Sequence, residues 1–292
     1  MLREIVRCGM RAFTTLIDAA SLASQAGDEL ALFDCRFELG NPQWGEGEFA
    51  REHIPGAQYL HLDRDLSSPV TAHSGRHPLP DPAAFARRIG ALGAGAGMQL
   101  VAYDQGNGAY AARFWWLARW IGVRNVAVLD GGIAAWRAAG LPLERNSRTP
   151  RPRDVPVNLQ AGAALSSSQV DELRQRPGTL LVDARGADRF AGRNETIDPV
   201  AGHVPGARNM PFAANLGTDG KFLSPEALRR RWDALLGSQP PSAVVAMCGS
   251  GVTACQNLLA LEHAGLKGAR LYPGSWSEWI RDARRPIATG SY

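Results

Sequence analysis

Four short segments of this chain occur twice, in the same order. ALFDCRF from Ala31 resembles LLVDARG from Leu180, and HIPGAQYL from His53 resembles HVPGARNM from His203. LVAYDQGNGAYAARF from Leu100 resembles VVAMCGSGVTACQNL from Val244. VLDGGIAAW, ending at Trp136, resembles LYPGSWSEW, ending at Trp279. The offsets are 149, 150, 144 and 143 residues, and ordered matches at nearly one offset mark a duplicated unit. A chain of 292 residues is long for one core and comfortable for two. Two copies of one domain are expected, over 1–147 and 158–292. Between them, SRTPRPRDVPV (Ser147 to Val157) has no periodicity and is a poor helix or strand former, so 148–157 is expected to be a linker.

Within each copy, short apolar runs look like strands buried on both faces. They cover 30–33, 100–103 and 126–129, then 180–182, 244–247 and 269–272. Longer stretches between them look helical, for example 81–92, 109–121, 225–235 and 253–264. Strands that alternate with helices imply an α/β fold of two tandem domains, each a mainly parallel sheet flanked by helices.

Composition removes several classes of function. Hydrophobic content is 45% and charged content 21%, ordinary for a soluble globular protein. No apolar run reaches the roughly 18 residues of a membrane span. The opening MLREIVRCGMRAFTTL is interrupted by Arg3, Glu4, Arg7 and Arg11 and does not read as a secretory signal. Met10 is an alternative start to Met1. The four cysteines, Cys8, Cys35, Cys248 and Cys255, are too scattered for a disulfide framework, and no CxxC pair suggests a metal site. A cytoplasmic location is the expectation. The net charge of +4 is too small and diffuse for nucleic-acid binding. Gly93 to Gly97 (GAGAG) lacks the strand-then-helix order of a dinucleotide fingerprint, so no cofactor is implied.

One segment carries chemistry. In VVAMCGSGVTACQNLLALEHAG a buried strand ends at Met247, a tight loop runs Cys248-Gly249-Ser250-Gly251-Val252-Thr253, and a helix begins. A glycine-bearing loop that opens a helix turns backbone N–H groups towards its centre and adds the helix dipole. Such a cradle stabilises an anion and favours the thiolate of a cysteine at its start. That thiolate can attack sulfur, and the persulfide formed would rest in the same cradle.

CGSGVTAC resembles the active-site loop of the tandem-domain rhodanese family, in particular its 3-mercaptopyruvate sulfurtransferase branch. DCRF, HIPGA, GRHPLP, YDQGNG, DARGADRF, AGHVPGA and GSWSEW also have family counterparts, so the resemblance covers nearly the whole chain. It implies two rhodanese-like domains, the first catalytically silent and the second carrying the nucleophile. It also implies sulfur transfer from a small donor, 3-mercaptopyruvate or thiosulfate, to a thiol, thioredoxin or cyanide. Thiosulfate-using relatives carry an Arg and a Lys where this chain has Gly249 and Ser250, so the resemblance favours 3-mercaptopyruvate. It implies that Ser250 works with His77 and Asp63 of the first copy, and that Arg189 binds substrate. A second substrate Arg, expected a few residues past Arg189, is missing; Arg193 and Arg185 are the two candidates to replace it.

The duplication separates structural from functional candidates. Asp34/Asp183, Arg36/Arg185, His53/His203, Gly131/Gly274 and Trp136/Trp279 occur in both copies and read as fold-maintaining. Cys248 faces Asp104 in the other copy, Ser250 faces Gly106, and Arg189 faces Gly40. A guanidinium at 189 suits a carboxylate donor. Gly249, Gly251, Val252 and Thr253 supply the amides of the cradle. Cys255, two helical turns past Cys248, is either a buried helix residue or a resolving thiol. Three other functions compete: thiosulfate:cyanide transfer, a non-enzymatic sulfur-binding module, and a cysteine phosphatase. The last needs Arg six residues after the nucleophile, and Ala254 stands there.

Overall fold

The structure is a computed structural model that describes residues 12–25, 27 and 29–290. Cys8 and the alternative start at Met10 lie outside the described residues. The first copy contains β1 (Leu16–Ile17), α1 (Ala19–Ser24), β2 (Leu30–Asp34), α2 (Trp44–Arg51), β3 (Gln58–Tyr59), α3 (Pro82–Ala91), β4 (Gln99–Tyr103), α4 (Ala111–Trp120), β5 (Val126–Leu129) and α5 (Gly132–Ala138). The second contains α6 (Ser167–Leu173), β6 (Leu180–Asp183), α7 (Ala187–Phe190), β7 (Arg208–Asn209), α8 (Pro225–Leu236), β8 (Val244–Met247), α9 (Thr253–His263), β9 (Arg270–Leu271) and α10 (Ser275–Trp279).

Every strand pairing is parallel. The sheet orders are β1-β5-β4-β2-β3 and β7-β6-β8-β9. These are one order written twice, because the place of β1 is taken in the second copy by a parallel bridge from Ala164 to Leu271. The apolar runs form strands because both faces of each sheet are covered by helices. The residues of β4, β5 and β8 are all buried.

The residues shared by the two copies make the same bonds in each. Arg36 Nη2 donates to Asp34 at 2.6 Å and to the Glu52 carbonyl at 2.8 Å. Arg185 Nη2 donates to Asp183 at 2.8 Å and to the Gly202 carbonyl at 2.8 Å. His53 stacks on Phe49 and His203 on Phe190, each imidazole bonding the carbonyl of its stacking partner through Nδ1. The Trp136 and Trp279 indoles donate to the carbonyls of Pro142 and Pro286. These groups brace each domain from within.

Residues 148–157 form no helix or strand. The copies meet instead through α4 and α9, which share one continuous core. Ala111 to Ala118 of α4 and Ala254 to Leu261 of α9 are buried without a polar face. A helix buried all round belongs inside a core. Each of these lies between its own sheet and the other copy. The loops that open the two helices therefore come together at the seam, beyond the carboxyl ends of the parallel strands, where open α/β sheets bind ligands.

Candidate active site

Cys248 follows β8 directly and is held by its main chain. Its N–H donates to Ser275 Oγ at 3.0 Å, and its carbonyl accepts from Trp276 N–H at 3.0 Å. The Gly249 carbonyl accepts from Ser277 N–H at 2.9 Å. The start of α10 thus clamps the start of the loop. Gly251 has φ +74°, and a Cβ there would lie 2.3 Å from the Pro273 carbonyl oxygen, so only glycine fits. Its N–H points at Cys248 Sγ from 3.1 Å. Among the described residues nothing accepts from the N–H groups of Gly249, Ser250 or Val252. Helix α9 begins at Thr253 with no side-chain cap, so its first amides also face the loop. Cys248 itself is 2% exposed.

The corresponding loop of the first copy shows what its own amides bind. There Asp104 stands where Cys248 stands, and its own carboxylate fills the cradle. Oδ1 accepts from the amides of Gly106 and Gly108 at 2.9 and 3.1 Å; Oδ2 accepts from Tyr110 and Ala111 at 3.0 and 3.2 Å. Burial pushes this carboxyl upward and the four N–H groups pull it back. The loop of the first copy thus holds a carboxylate on main-chain amides, and the loop of the second directs a main-chain amide at a sulfur atom.

Ser250 meets His77 of the first copy across the seam, and His77 in turn meets Asp63. Its hydroxyl lies 2.7 Å from His77 Nδ1, and His77 Nε2 lies 3.2 Å from Asp63 Oδ1. Burial holds the imidazole below its ordinary range; the Asp63 hydrogen bond partly offsets this, and Arg113 adds to it. The bond to His77 keeps the Asp63 carboxyl low and ionised. An ionised carboxylate only accepts, so the proton sits on Nε2 and Nδ1 accepts from the serine. The Asp63 side chain is 44% exposed and opens this chain of bonds to solvent.

Arg189, at the end of α7, is bound by two buried carboxylates. Its Nε donates to Glu195 at 3.0 Å and its Nη2 to Asp198 at 3.0 Å. Asp198 also accepts from Arg76 Nη1 of the first copy at 2.6 Å. Both guanidiniums lie over Gly249: a Cβ built there would be 3.2 Å from Arg76 Nη2 and 3.6 Å from Arg189 Nη2. Neither expected replacement for the missing arginine is placed for it. Arg193 pairs with exposed Asp188 at the surface. The Arg185 side chain is 1% exposed, spends its donors on Asp183, Glu195 and a carbonyl, and lies against the Trp276 ring. It is the counterpart of Arg36 and belongs to the bracing of the domain.

Two further residues were not singled out by the sequence. Arg76 adjoins His77 in GRHPLP and reads there as an ordinary loop charge. Arg113 lies on α4 and is 0% exposed. It donates to the carbonyls of Gly251 and His77, each at 3.1 Å, and of Leu66 and Pro78. No carboxylate among the described residues is in ion-pair range of it. The signal was present: AARFWWLARW holds two arginines, and Arg113 is the one charge in its first eight residues. By drawing the Gly251 carbonyl to itself, Arg113 turns the following N–H, that of Val252, the opposite way, because the peptide is trans. Cys255 lies on this inner side. Its thiol donates to the Gly251 carbonyl at 3.3 Å, and burial pushes it up to about 12.

The model of the rhodanese-like domain matches this chain twice, over residues 18–139 and 166–282. The chain belongs to the rhodanese family and carries two copies of its domain. It is 50% identical over 278 residues to a Pseudomonas aeruginosa protein named "Probable 3-mercaptopyruvate sulfurtransferase", covering 94% of this chain and 98% of the relative. It is 34% identical to the thiosulfate sulfurtransferase of Cricetulus griseus, covering 88% and 87%. Among solved structures, the 3-mercaptopyruvate sulfurtransferase of Leishmania major superposes with a TM-score of 0.81 at 35% identity, covering 91% of this chain and 74% of that one.

Proposed function

We propose that this chain is a 3-mercaptopyruvate sulfurtransferase that carries sulfur as a persulfide on Cys248. The observation that carries the reading is the Gly251 N–H directed at Cys248 Sγ in a loop whose counterpart holds a carboxylate. In the first half-reaction the Cys248 thiolate attacks the donor's sulfur. The carbon–sulfur bond breaks and its electrons pass to the pyruvate enolate. The proton lost from the donor's thiol ends on the methyl carbon of pyruvate, and the persulfide remains as an anion in the cradle. Ser250, relayed through neutral His77 to ionised Asp63, is placed to move that proton. In the second half-reaction a thiol, thioredoxin or cyanide takes the outer sulfur and Cys248 leaves as thiolate.

The mouth of the site supports a monoanionic donor. Arg76, Arg185 and Arg189 are matched there by Asp183, Glu195 and Asp198, so the cluster has no surplus cation for dianionic thiosulfate. Gly249 adds no charge. Arg189 is the donor-binding residue of this reading; Arg185 is not. The first copy (1–147) is silent because Asp104 offers no sulfur; 148–157 links it to the catalytic copy (158–292). Cys35, Cys248 and Cys255 are free thiols, which supports work in a reducing compartment such as the cytoplasm. No helix among the described residues is long and apolar enough to cross a membrane.

The test is a donor panel with wild type and Cys248→Ser. Wild type is expected to use 3-mercaptopyruvate with at least tenfold higher kcat/KM than thiosulfate. Donor treatment is expected to add about 32 Da to Cys248. The serine variant is expected to lose both. A tenfold preference for thiosulfate would overturn the donor assignment. Absence of any added sulfur with every donor would overturn sulfur transfer and leave a binding module.

A further inference from the structure

We propose that Ser277 of the second copy is a positioning residue for the proton relay, its hydroxyl setting His77 of the first copy in register with Ser250. This rests on the relay of the proposed function and adds the group that holds it in place. Ser277 lies in α10 and touches both parties. Its N–H donates to the Gly249 carbonyl at 2.9 Å, which ties it to the loop that carries Ser250. Its Oγ accepts from the Arg76 N–H at 3.0 Å, and Arg76 is the residue before His77. The same Oγ donates to the Gly274 carbonyl at 3.3 Å, so its proton is turned away and a lone pair is left for the amide. A Cβ built on Gly75 would lie 2.5 Å from the Gly274 carbonyl oxygen and 3.1 Å from Ser277 Oγ. The two stretches of chain are therefore in direct contact, with no room for a side chain between them.

The Arg76–His77 dipeptide is pinned at both ends. Ser277 holds the N–H at its start, and Arg113 of α4 holds the His77 carbonyl at its end, at 3.1 Å. With the main chain held on both sides, the imidazole stands with Nδ1 2.7 Å from Ser250 Oγ, inside the narrow range a hydrogen bond allows. The duplication shows that α10 itself does not need the hydroxyl. At the offset of 143 residues Ser277 corresponds to Ala134, and α5 forms with alanine at that place. Ala134 lies beside Gly106, the counterpart of Ser250, as Ser277 lies beside the Cys248 loop. Both hydroxyls thus occur only in the copy that has a cysteine at the loop start. The seam is also crossed in the other direction, where Phe222 N–H of the second copy donates to Asp130 Oδ1 of the first at 2.9 Å. Phe222 adjoins no member of the relay, whereas the amide that Ser277 accepts leads directly into His77.

The experiment uses the full chain with Ser277→Ala, Ser277→Thr, His77→Ala and the double variant of Ser277→Ala with His77→Ala. With 3-mercaptopyruvate, kcat is expected to fall about tenfold in Ser277→Ala, with KM within about threefold, and to recover in Ser277→Thr, which keeps the hydroxyl. Discharge to cyanide of a persulfide formed with sodium polysulfide moves no proton through His77 and is expected to stay within about twofold. In the His77→Ala background, Ser277→Ala is expected to add less than about twofold, because a residue that acts through the imidazole has nothing left to place. In protein labelled with 15N-histidine, the His77 ring is located by its loss in His77→Ala. It is expected to show one fixed tautomer in wild type and averaged nitrogens in Ser277→Ala. An undiminished loss in the His77→Ala background would overturn the proposal, as would discharge that falls in step with donor use, since Ser277 would then serve the Cys248 loop alone. Wild-type kcat in Ser277→Ala would overturn it too. A His77→Ala protein as active as wild type would sink the relay, and the ring spectra would then decide by themselves whether Ser277 positions His77.

Discussion

Replacing Ser275 by alanine and by glycine separates backbone strain from hydrogen bonding at the residue that clamps Cys248. Ser275 has φ +54°, the one positive φ among described non-glycine residues. Its counterpart in the first copy is Gly132, with φ +55°. The fold thus demands a left-handed residue here, and the second copy bears a side chain in it. The left-handed region costs an L residue roughly 1–2 kcal/mol. The return is the Oγ that accepts the Cys248 N–H at 3.0 Å and donates to the Tyr272 carbonyl at 2.9 Å. Alanine keeps the strain and orphans a buried N–H, so Ser275→Ala is expected to cost about 1–3 kcal/mol. Glycine loses the same bonds but sheds the strain, less about 0.4–1 kcal/mol for its freer unfolded chain. Ser275→Gly is therefore expected to be more stable than Ser275→Ala by about 0.5–1 kcal/mol, or a few degrees in Tm. Both variants release the start of the loop, and kcat with 3-mercaptopyruvate is expected to fall at least tenfold in each, because small displacements of a nucleophile are costly. Thermal unfolding and steady-state kinetics on the two proteins suffice. An alanine variant as stable as the glycine variant would refute the strain, and wild-type kcat in both would refute the clamp.

Asp104→Ala removes the acceptor of four buried amides and is expected to cost roughly 2–4 kcal/mol in urea unfolding, while the folded fraction still forms persulfide; an unchanged midpoint would contradict the anion-cradle account. Gly249→Arg drives a cation at Arg76 and Arg189 and is expected to lower kcat/KM for 3-mercaptopyruvate more than for thiosulfate, shifting the donor ratio at least fivefold. Burial keeps His77 neutral below its ordinary 6.5, so donor turnover should stay level as pH falls through 6.5 and decline only further down. Asp63 raises that imidazole, so Asp63→Asn should move the acid limb lower still and reduce kcat; a limb that moved up would refute the relay. Arg113→Met leaves the Gly251 and His77 carbonyls without their common donor, and a loss of both persulfide formation and discharge is expected, with Arg113→Lys restoring only part because one ammonium cannot span four carbonyls.

Most of the architecture was legible because it rests on local signals that the duplication states twice. The central strands and long helices are dense apolar runs, and the structure moves their ends by a residue or two. The edge strands β1, β3 and β7 have two residues each and no pattern of their own. They form because a neighbour's edge is presented to them, which sequence periodicity does not register. At the site, Cys248, Gly251 and Ser250 could be placed from the strand–loop–helix grammar of one segment. His77 and Asp63 could not, being far away in sequence; the family resemblance named them, and the structure brings them to Ser250. The missing arginine shows the limit of alignment. The candidates near in sequence, Arg193 and Arg185, are engaged elsewhere, whereas Arg76 stands over Gly249 from the other domain.

The first copy also contributes structure to the second. Asp104 fixes its own loop without a ligand, so α4 starts from a settled end and can be packed on all sides. That rigidity serves the other half: α4 carries Arg113 to the Gly251 carbonyl, and the chain after β3 carries Asp63, Arg76 and His77 to the seam. The group that orients the Gly251–Val252 peptide of the Cys248 loop is a cation buried in the first domain, with no carboxylate partner among the described residues. A buried unpaired guanidinium is expensive unless an anion lies close by. At Arg113 the cost is met by the carbonyls of Leu66, His77, Pro78 and Gly251 and by the electrostatic influence of the Cys255 and Cys248 thiols, so a group of one copy is buried against the nucleophile loop of the other.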